Sequence, residues 1–320
     1  MSAANKKLSL KSIFAGIPPV VWVLLVMVIA FARLSPDFLT VRNAVSLMKQ
    51  GSILMTLCMG VIVVKITGGI ELAVGGVMSL AGMVMAYSMV NWGVSIPVGL
   101  LLALLTGLVC GVFNGIFVAK MNIPSFIATL GMQFMATGIA LVLNGGNVIW
   151  GMPKAIGEIG NGNWLGVPVP ILLMLLACIV SFVVLRFTTL GVYFYSLGGN
   201  EDALKLAGRR TTWYKILAYV YCGLMVGLAA IIITSRNQTA QPTVGVGMEF
   251  EAFSSCVLGG AIAPGKGSVS GTILGVLFIL ILRNGLNVVG VPTFYQLAVI
   301  GVAIIGAIVL SMLVEQQMDK

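Results

Sequence analysis

Long apolar stretches follow one another along the whole chain, and they constrain what it can fold into more than any other feature. A helix needs about 20 mostly apolar residues to cross the hydrocarbon core of a bilayer. Such stretches lie near residues 13–32, 51–66, 70–91, 94–119, 124–144, 168–186, 213–235, 252–264, 268–288 and 294–313. The sequence therefore predicts an all-α, polytopic membrane protein with about ten transmembrane helices, in a single domain over residues 1–320.

The composition excludes a soluble globular domain. Only 8% of the residues are charged and 59% are hydrophobic, whereas an ordinary soluble domain carries about 25% charged residues. A membrane β-barrel would alternate polar and apolar residues over about ten positions, but these apolar runs are continuous.

At two places the sequence does not decide whether a helix is continuous. Residues 252–264 are too few to cross a full bilayer, and residues 67–69 (Thr-Gly-Gly) form only a weak boundary. Interrupted helices are the alternative at both places. The first stretch, 13–32, follows lysines and ends near an Ala-Phe-Ala sequence, as a signal peptide would. It is long for that role, so we predict an uncleaved first helix.

Lysine and arginine predict the orientation, because these residues accumulate on the cytoplasmic side of membrane proteins. With the N-terminus inside and ten spans, 12 of the 18 basic residues fall inside and 6 outside. The outside ones are Arg33, Arg42, Lys49, Lys154, Arg236 and Arg283. The bias predicts that both termini are inside.

The residue types exclude several kinds of chemistry. The chain has no histidine, and its five cysteines occur singly in apolar stretches, which indicates buried hydrophobic residues. We therefore expect no catalytic residue, metal or cofactor in this chain. The sequence 260–266 resembles the start of a P-loop, but Gly267 replaces the Ser or Thr that would hold magnesium, so we interpret it as a tight turn. The basic residues form no stripe for nucleic acid.

Two polar stretches separate the spans. Residues 145–167 are predicted outside and residues 187–212 inside. Within the second, Asn200 is a candidate N-cap, Glu201 and Asp202 fall in the first turn, and Gly208 ends a short helix. Composition alone leaves two interpretations equal: a solvated connector, or a docking surface for a soluble partner.

A weak internal repeat relates residues 51–144 to residues 213–313. Both halves contain a GxxxGxxxG pattern, at 107–115 and 267–275, and both contain a Pro-hydroxyl-Phe sequence, at 124–126 and 292–294. In the predicted topology the two halves run in opposite directions. This pattern indicates two inverted-topology repeats, which are common in transporters; the alternative is chance similarity between glycine packing motifs.

Charges near the ends of spans leave a second mechanism open. Glu71 and Lys65 could form a proton relay, because an ionisable residue inside a membrane is a candidate functional group. A proton- or sodium-coupled secondary transporter is therefore an alternative function. An intramembrane enzyme is disfavoured, since histidine and an acidic metal-binding cluster are both missing from the sequence.

Several short sequence blocks resemble those of one protein family, and they occur in the same order as in that family. TGGIELAVGGVMSLAG at 67–82, NG at 114–115 with PSFIATLG at 124–131, and GGNEDA at 198–203 resemble the conserved stretches of ribose-type ABC importer permeases. AQPT at 240–243 and NGLN at 284–287 continue the same order. The resemblance extends over about residues 35–312.

The resemblance implies a function and partners. Two such permeases, either two copies or a copy and a paralogue, would form a pore in the bacterial inner membrane. A cytosolic ATP-binding subunit would hold ATP and magnesium, and a periplasmic or lipid-anchored binding protein would deliver a monosaccharide or a related small polyol.

The resemblance also implies roles for particular residues. The cytosolic segment would be the helix that couples the permease to the ATP-binding subunit, with candidate residues Asn200, Glu201, Asp202, Ala203, Leu206 and Gly208. Its exposed apolar ridge, which would contact that subunit, consists of Ala203, Leu204, Leu206 and Ala207. Independently of the resemblance, the Phe and Tyr residues near Pro124 and Pro292 could line a sugar path, because aromatic rings stack on sugar faces; the alternative is that they are packing residues. Candidates for the translocation path are Glu71, Asn114, Phe126, Thr129, Asn284 and Asn287.

The sequence departs from the family pattern in four places. Glu71 replaces an aspartate, and Lys65 stands at a normally apolar position. Arg209-Arg210 and residues 261–264 also differ. These departures leave the expected fold unchanged and leave open which sugar is carried.

Overall fold

The computed structural model describes residues 19–318, so Lys6, Lys7, Lys11 and Lys320 and the beginning of the first predicted span, 13–18, lie outside the described residues. The first half of the described chain contains five long helices. They are α1 (Pro19–Leu34), α2 (Val41–Ile66), α3 (Val74–Asn91), α4 (Ile96–Ala119) and α5 (Ser125–Leu143).

The second half begins with the polar stretch that follows α5. It forms a 3-10 turn (Lys154–Ile156), the short helix α6 (Gly157–Asn161) and a small antiparallel hairpin of β1 (Asn163–Trp164) and β2 (Val167–Pro168). The remaining helices are α7 (Val169–Phe187), α8 (Thr189–Gly199), α9 (Glu201–Leu206), α10 (Thr211–Asn237), α11 (Met248–Leu258), α12 (Val269–Val288) and α13 (Thr293–Met318).

The structure supports the all-α polytopic class. Seven described helices are long and apolar enough to cross a membrane: α2, α3, α4, α5, α7, α10 and α12. Two shorter apolar helical stretches, 20–34 and 293–306, lie in α1 and α13. The total of ten spans and the orientation remain predictions.

Helix α2 begins ten residues before the predicted start at Gly51. The hydroxyl of Thr40 accepts a hydrogen bond from the Asn43 N–H at 3.2 Å and so caps the helix. The first ten residues of α2 are largely exposed, whereas every residue from Gly51 to Ile66 except Lys65 is buried. The apolar run therefore predicted the buried part of this helix, and its polar extension was missed.

Both ambiguous places are interrupted helices. Helix α11 ends at Leu258, not at residue 264, and its 11 residues span only ~16 Å at a rise of about 1.5 Å per residue. The chain then turns through residues 259–268, where Gly260 has a φ of 93°. The P-loop-like sequence belongs to this turn, as predicted. The other interruption is at residues 67–73, between α2 and α3.

The core is built on α2 and α10. Both bury most of their length, whereas α4, α5 and α7 bury only one side. Helix α2 packs against α10, α7, α11 and α12, and α10 packs against α4, α2 and α3. All five cysteines are buried and free, which agrees with their interpretation as small hydrophobic residues.

The two glycine patterns are helix-packing surfaces. A Cβ atom on Gly107 would overlap the backbone of Gly223 in α10, and one on Gly111 would overlap the carbonyl of Tyr219. In the second pattern, Gly275 meets the carbonyl of Ser255 in α11 in the same way. Small residues allow this close backbone approach, as is usual for helices in membranes.

We expect Gly111→Ala to destabilise the protein by about 1–3 kcal/mol, because the added methyl group meets backbone atoms of α10 that cannot rotate away. Thermal unfolding of the detergent-solubilised chain measures this. The control is Gly138→Ala on α5, where an added Cβ meets nothing within 4 Å. Equal thermal unfolding midpoints for Gly111→Ala and Gly138→Ala would contradict close packing of α4 on α10.

Candidate functional site

The connection between α2 and α3, residues 67–73, is an unwound segment inside the bundle. At the end of α2 the Thr67 hydroxyl donates to the carbonyl of Val64 at 2.7 Å. Gly68 then adopts a φ of 86°, which glycine tolerates best. Because this segment is not helical, its peptide N–H groups need partners elsewhere in the bundle.

Helix α5 supplies those partners from one face. Three of its side chains, spaced four residues apart, accept hydrogen bonds from peptide N–H groups of the connection and of the first turn of α3. They are Ser125 Oγ from Ile70 at 3.1 Å, Thr129 Oγ1 from Leu72 at 3.2 Å, and Gln133 Oε1 from Gly76. Residues at this spacing lie on the same helix face, so α5 holds the connection against the core.

Glu71 lies in the middle of the connection and is only 4% exposed. Its Oε1 accepts from the Ala73 N–H at 2.7 Å, and its Oε2 accepts from the Asn114 side-chain amide at 3.1 Å. Its carboxylate therefore caps the start of α3 and joins it to α4. The other side-chain atom of this amide, Asn114 Oδ1, is buried without a hydrogen-bond partner.

A second unwound connection, residues 238–247, precedes α11. Glu249 in the first turn of α11 is 5% exposed, and both of its carboxylate oxygens accept from the Gly247 N–H. The Gly245 N–H donates to Ser79 Oγ in α3 at 2.9 Å. Gly245 and Gly75 lie so close that a Cβ on either would overlap the other's backbone. The start of α3 and the approach to α11 thus meet inside the bundle.

The structure places Lys65 and Glu71 in separate environments. The ammonium of Lys65 lies over the ring of Phe253, 4.6 Å from its centroid. Glu251 pairs with Arg283 on α12. No ion pair joins Lys65 to Glu71 within residues 19–318.

The predicted path residues fall into three places. Glu71, Asn114 and Thr129 are buried together around the first connection. Phe126 is 48% exposed on α5. Asn284 exchanges hydrogen bonds with Asn43 of α2, and Asn287 accepts one from Gln296 of α13. The structure therefore assembles half of the predicted set, and the two asparagines of α12 lie at another site.

Sequence reasoning missed Ser125 and Gln133. Their four-residue spacing from Thr129 was visible and could have identified a polar face on an otherwise apolar helix. In the second half of the chain, the buried carboxylate at the start of α11 belongs to Glu249. Glu251, two residues later, turns towards α12, where it forms an ion pair.

The predicted short helix is present, as α9, in the segment that was predicted to be cytosolic. Asn200 Oδ1 accepts from the Ala203 N–H at 2.9 Å, so Asn200 is its N-cap. Gly208 has a φ of 74° and follows the helix end. Ala203 is exposed and Leu206 is 90% exposed, but Leu204, which was expected on the exposed ridge, is buried.

Glu201 fixes α9 to the first turns of α10. Its carboxylate lies 2.6 Å from Lys215 Nζ on α10 and 3.2 Å from Lys205 Nζ on α9. Lys205 also pairs with Asp202. Partial burial alone would raise the pKa of Glu201, but the hydrogen bonds and charges of Lys215 and Lys205 outweigh burial and lower that pKa. Glu201 is therefore ionised at neutral pH, and the pair is lost only as the pH falls through this lowered pKa.

A cavity of about 330 Å³ separates the first connection from α9. Its walls come from both regions and from α5 and α10. Among its lining residues are Gly68, Gly69, Ser125, Gly198, Asn200, Glu201, Lys215, Tyr219 and Pro264. A movement of α9 relative to α10 would change the shape of this cavity, which borders the connection.

A family model described as "Branched-chain amino acid transport system / permease component" matches residues 43–308. The chain belongs to this family of transport permeases. The match covers every helix that contributes to the two connections and to the α9 segment. The family consists of transport subunits and not of enzymes.

Curated relatives narrow the resemblance to the ribose type. The ribose import permease RbsC of Escherichia coli K12 is 39% identical over 290 residues, 89% of this chain and 90% of that protein. RbsC of Bacillus subtilis 168 is 38% identical, with 90% of each chain covered. The D-allose permease AlsC of E. coli K12 is 31% identical over 92% of this chain and 91% of its own. These matches confirm the resemblance to ribose-type ABC permeases. No solved structure matches the chain.

We expect Thr129→Val to destabilise the protein by about 1–3 kcal/mol, because valine keeps the shape but leaves the buried Leu72 N–H without an acceptor. Thr106→Val on α4 is the control, since the Thr106 hydroxyl donates only to the Leu102 carbonyl of its own helix. Thermal unfolding in detergent compares the two. Equal losses would show that α5 does not hold the connection.

Proposed function

We propose that the chain is the transmembrane subunit of an ATP-driven importer, which moves a monosaccharide such as ribose, or a related small polyol, across a bacterial inner membrane. The observation that carries this proposal is the similarity over about nine-tenths of the chain to permeases named for ribose import. Relatives named for D-allose and xylose support the wider sugar class.

The proposed topology has ten transmembrane spans with both termini inside. It contains two inverted repeats, at about residues 51–144 and 213–313. The proposed repeats are supported by the same order of elements in both halves. Each half has a long buried helix, α2 or α10, followed by an unwound connection and then by a second helix. That second helix has a buried glutamate in its first turn or just before it. Opposite directions for α3 and α11 follow from this orientation.

Energy would enter through α9. An ATP-binding subunit, which holds ATP and magnesium, would dock on the exposed face that includes Ala203 and Leu206. The Glu201–Lys215 pair would carry movement of α9 to α10, and α10 packs directly on α4, α2 and α3. Those helices surround the connection that contains Glu71. A second permease, a copy or a paralogue, and an external binding protein would complete the importer.

The role of the path residues follows from their bonding. Both carboxylate oxygens of Glu71 are already occupied by protein donors, and Thr129 holds the backbone. In this conformation these two residues position the connection, and contact with sugar would require the connection to open. Lys65 contributes nothing to a relay here, so no observation favours proton coupling.

Transport in right-side-out vesicles tests the energy source. We expect uptake of labelled ribose, or of D-allose or xylose, to require internal ATP, the ATP-binding subunit and the binding protein. Uptake should continue when a protonophore collapses the proton gradient, because the gradient is not the driving force. Sugar uptake driven by an imposed proton or sodium gradient, with the ATP-binding subunit left out, would overturn the proposal.

Ala203→Glu tests coupling through α9. The new carboxylate would be buried unpaired against the ATP-binding subunit, and a cost of ~3 kcal/mol would weaken docking more than 100-fold. We expect the variant to reach the membrane in normal amount, to lose the ATP-binding subunit in a detergent pull-down and to lose transport.

The matched control is Ala155→Glu, the same change at an exposed alanine in the stretch predicted outside. It should retain the ATP-binding subunit. A full complement of that subunit on Ala203→Glu would show that α9 is only a connector. Loss of the subunit from Ala155→Glu alone would reverse the proposed orientation.

A further inference from the structure

A basic cavity of about 650 Å³ lies beside the start of α10. It is lined by four basic side chains and by residues of the first helical turns, and its lining contains no carboxylate. The lining residues are Lys120, Lys205, Arg209, Arg210, Thr211, Thr212, Trp213 and Ile216. We call this group the basic cavity.

Most of the positive charge in the basic cavity is not neutralised by the protein. Lys205 pairs with Glu201 and Asp202. In the part of the chain that the structure describes, no ion pair joins Lys120, Arg209 or Arg210 to a carboxylate. Three of the four cations therefore remain available to an anion from outside the chain.

Arg209 is held in place by aromatic rings. Its guanidinium lies over Tyr193, 5.4 Å from the ring centroid, and Tyr193 stacks on Tyr214 with centroids 4.3 Å apart. Cation–π contact orients a guanidinium without neutralising its charge. The cavity thus contains a positioned cation and not merely a mobile surface side chain.

The start of α10 adds a second anion-binding feature. This helix is 27 residues long, and Arg210 at its N-cap position makes no side-chain hydrogen bond to it. The N–H groups of Thr211 and Trp213 already donate to the carbonyls of Arg209 and Arg210, so the helix dipole is what makes this terminus favourable for a phosphate. Thr211 and Thr212 also line the cavity.

The residues in and beside the first turns of α10 indicate whether the anion belongs to a lipid or to a soluble molecule. The charges at 209–210 are followed by Trp213, which is 58% exposed, whereas Ile216 is only 6% exposed and packs against Gly115 of α4. Next to Lys120, Met121 is 59% exposed. Charged, aromatic and apolar layers in this order match the headgroup, interface and acyl-chain regions of one bilayer leaflet. A soluble anion would have no use for the apolar end.

We propose that the basic cavity binds the headgroup phosphate of an anionic phospholipid in the cytosolic leaflet, with its acyl chains beside the exposed side chains of Trp213 and Met121. The proposal goes beyond transport and takes only the side of the membrane from the proposed function. A lipid at this place would contact Arg209 and Arg210 between α9 and α10, directly beside the proposed coupling segment.

Native mass spectrometry of the purified full-length chain tests binding, with phosphatidylglycerol as the probe and phosphatidylcholine as the zwitterionic comparison. We expect retained phosphatidylglycerol and little phosphatidylcholine. Arg209→Gln with Arg210→Gln should weaken phosphatidylglycerol binding about 30-fold, as two basic contacts to an anionic headgroup predict. Arg209→Lys with Arg210→Lys keeps both charges and should retain the lipid.

Arg42→Gln with Lys154→Gln is the matched control, because it removes two exposed cations elsewhere. The proposal would be overturned if the wild type and the Arg209→Gln, Arg210→Gln variant bound phosphatidylglycerol equally. It would also be overturned if the control variant lost as much phosphatidylglycerol binding as that variant. Competition by glycerol phosphate as strong as that by the lipid would assign the site to a free phosphate. Exclusion of the lipid by the bound ATP-binding subunit would assign the cavity to that partner. The assay needs no transport, so its failure leaves the importer proposal unaffected.

Discussion

The structure depends on satisfying the peptide groups of a chain segment that leaves helical geometry inside an apolar bundle. Water cannot reach such groups, and each one left unpaired is costly. For residues 67–73 and the first turn of α3 the solution is a polar face on α5, which supplies Ser125, Thr129 and Gln133 as acceptors. This arrangement fixes α5 against α3. It also explains why three polar side chains of this apolar helix, Ser125, Thr129 and Gln133, lie on one face.

The second connection is completed by the other half of the chain. The Gly245 N–H reaches Ser79 in α3, and Gly75 and Gly245 touch backbone to backbone. The two halves are therefore joined where the first turns of α3 meet the unwound second connection, and not only along helix faces. A side chain on either glycine would push the start of α3 and the second connection apart. Movement of the start of α3 would then displace the second connection, which is the behaviour that the proposed transport role requires.

The sequence predicted the parts of this structure that depend on apolarity. The buried section of α2 and the helices α4, α5, α7 and α12 follow from apolar length, whereas the two interruptions were only an alternative that the sequence left open. The end of α11 at Leu258 did not follow from apolar length, because residues 259–264 remain apolar while two glycines turn the backbone. The short helix α9 was predictable, since its cap is local. The pairing of Asn43 with Asn284 was not, because 241 residues separate them.

Helix α9 is held by an ion pair and by a buried leucine, and the relative strength of these two contacts decides how α9 can act on α10. The Glu201–Lys215 pair is partly exposed, with 30% and 27% of the two side chains accessible, and such pairs contribute only about 0–1 kcal/mol. Burial of a leucine side chain contributes about 1.5–3 kcal/mol, so the buried Leu204 anchors α9 more firmly than the charges do. The ion pair instead sets direction, because it joins the N-terminal end of α9 to one turn of α10. Leu204 would therefore hold α9 in place, and the Glu201–Lys215 pair would set the direction in which movement of α9 reaches α10.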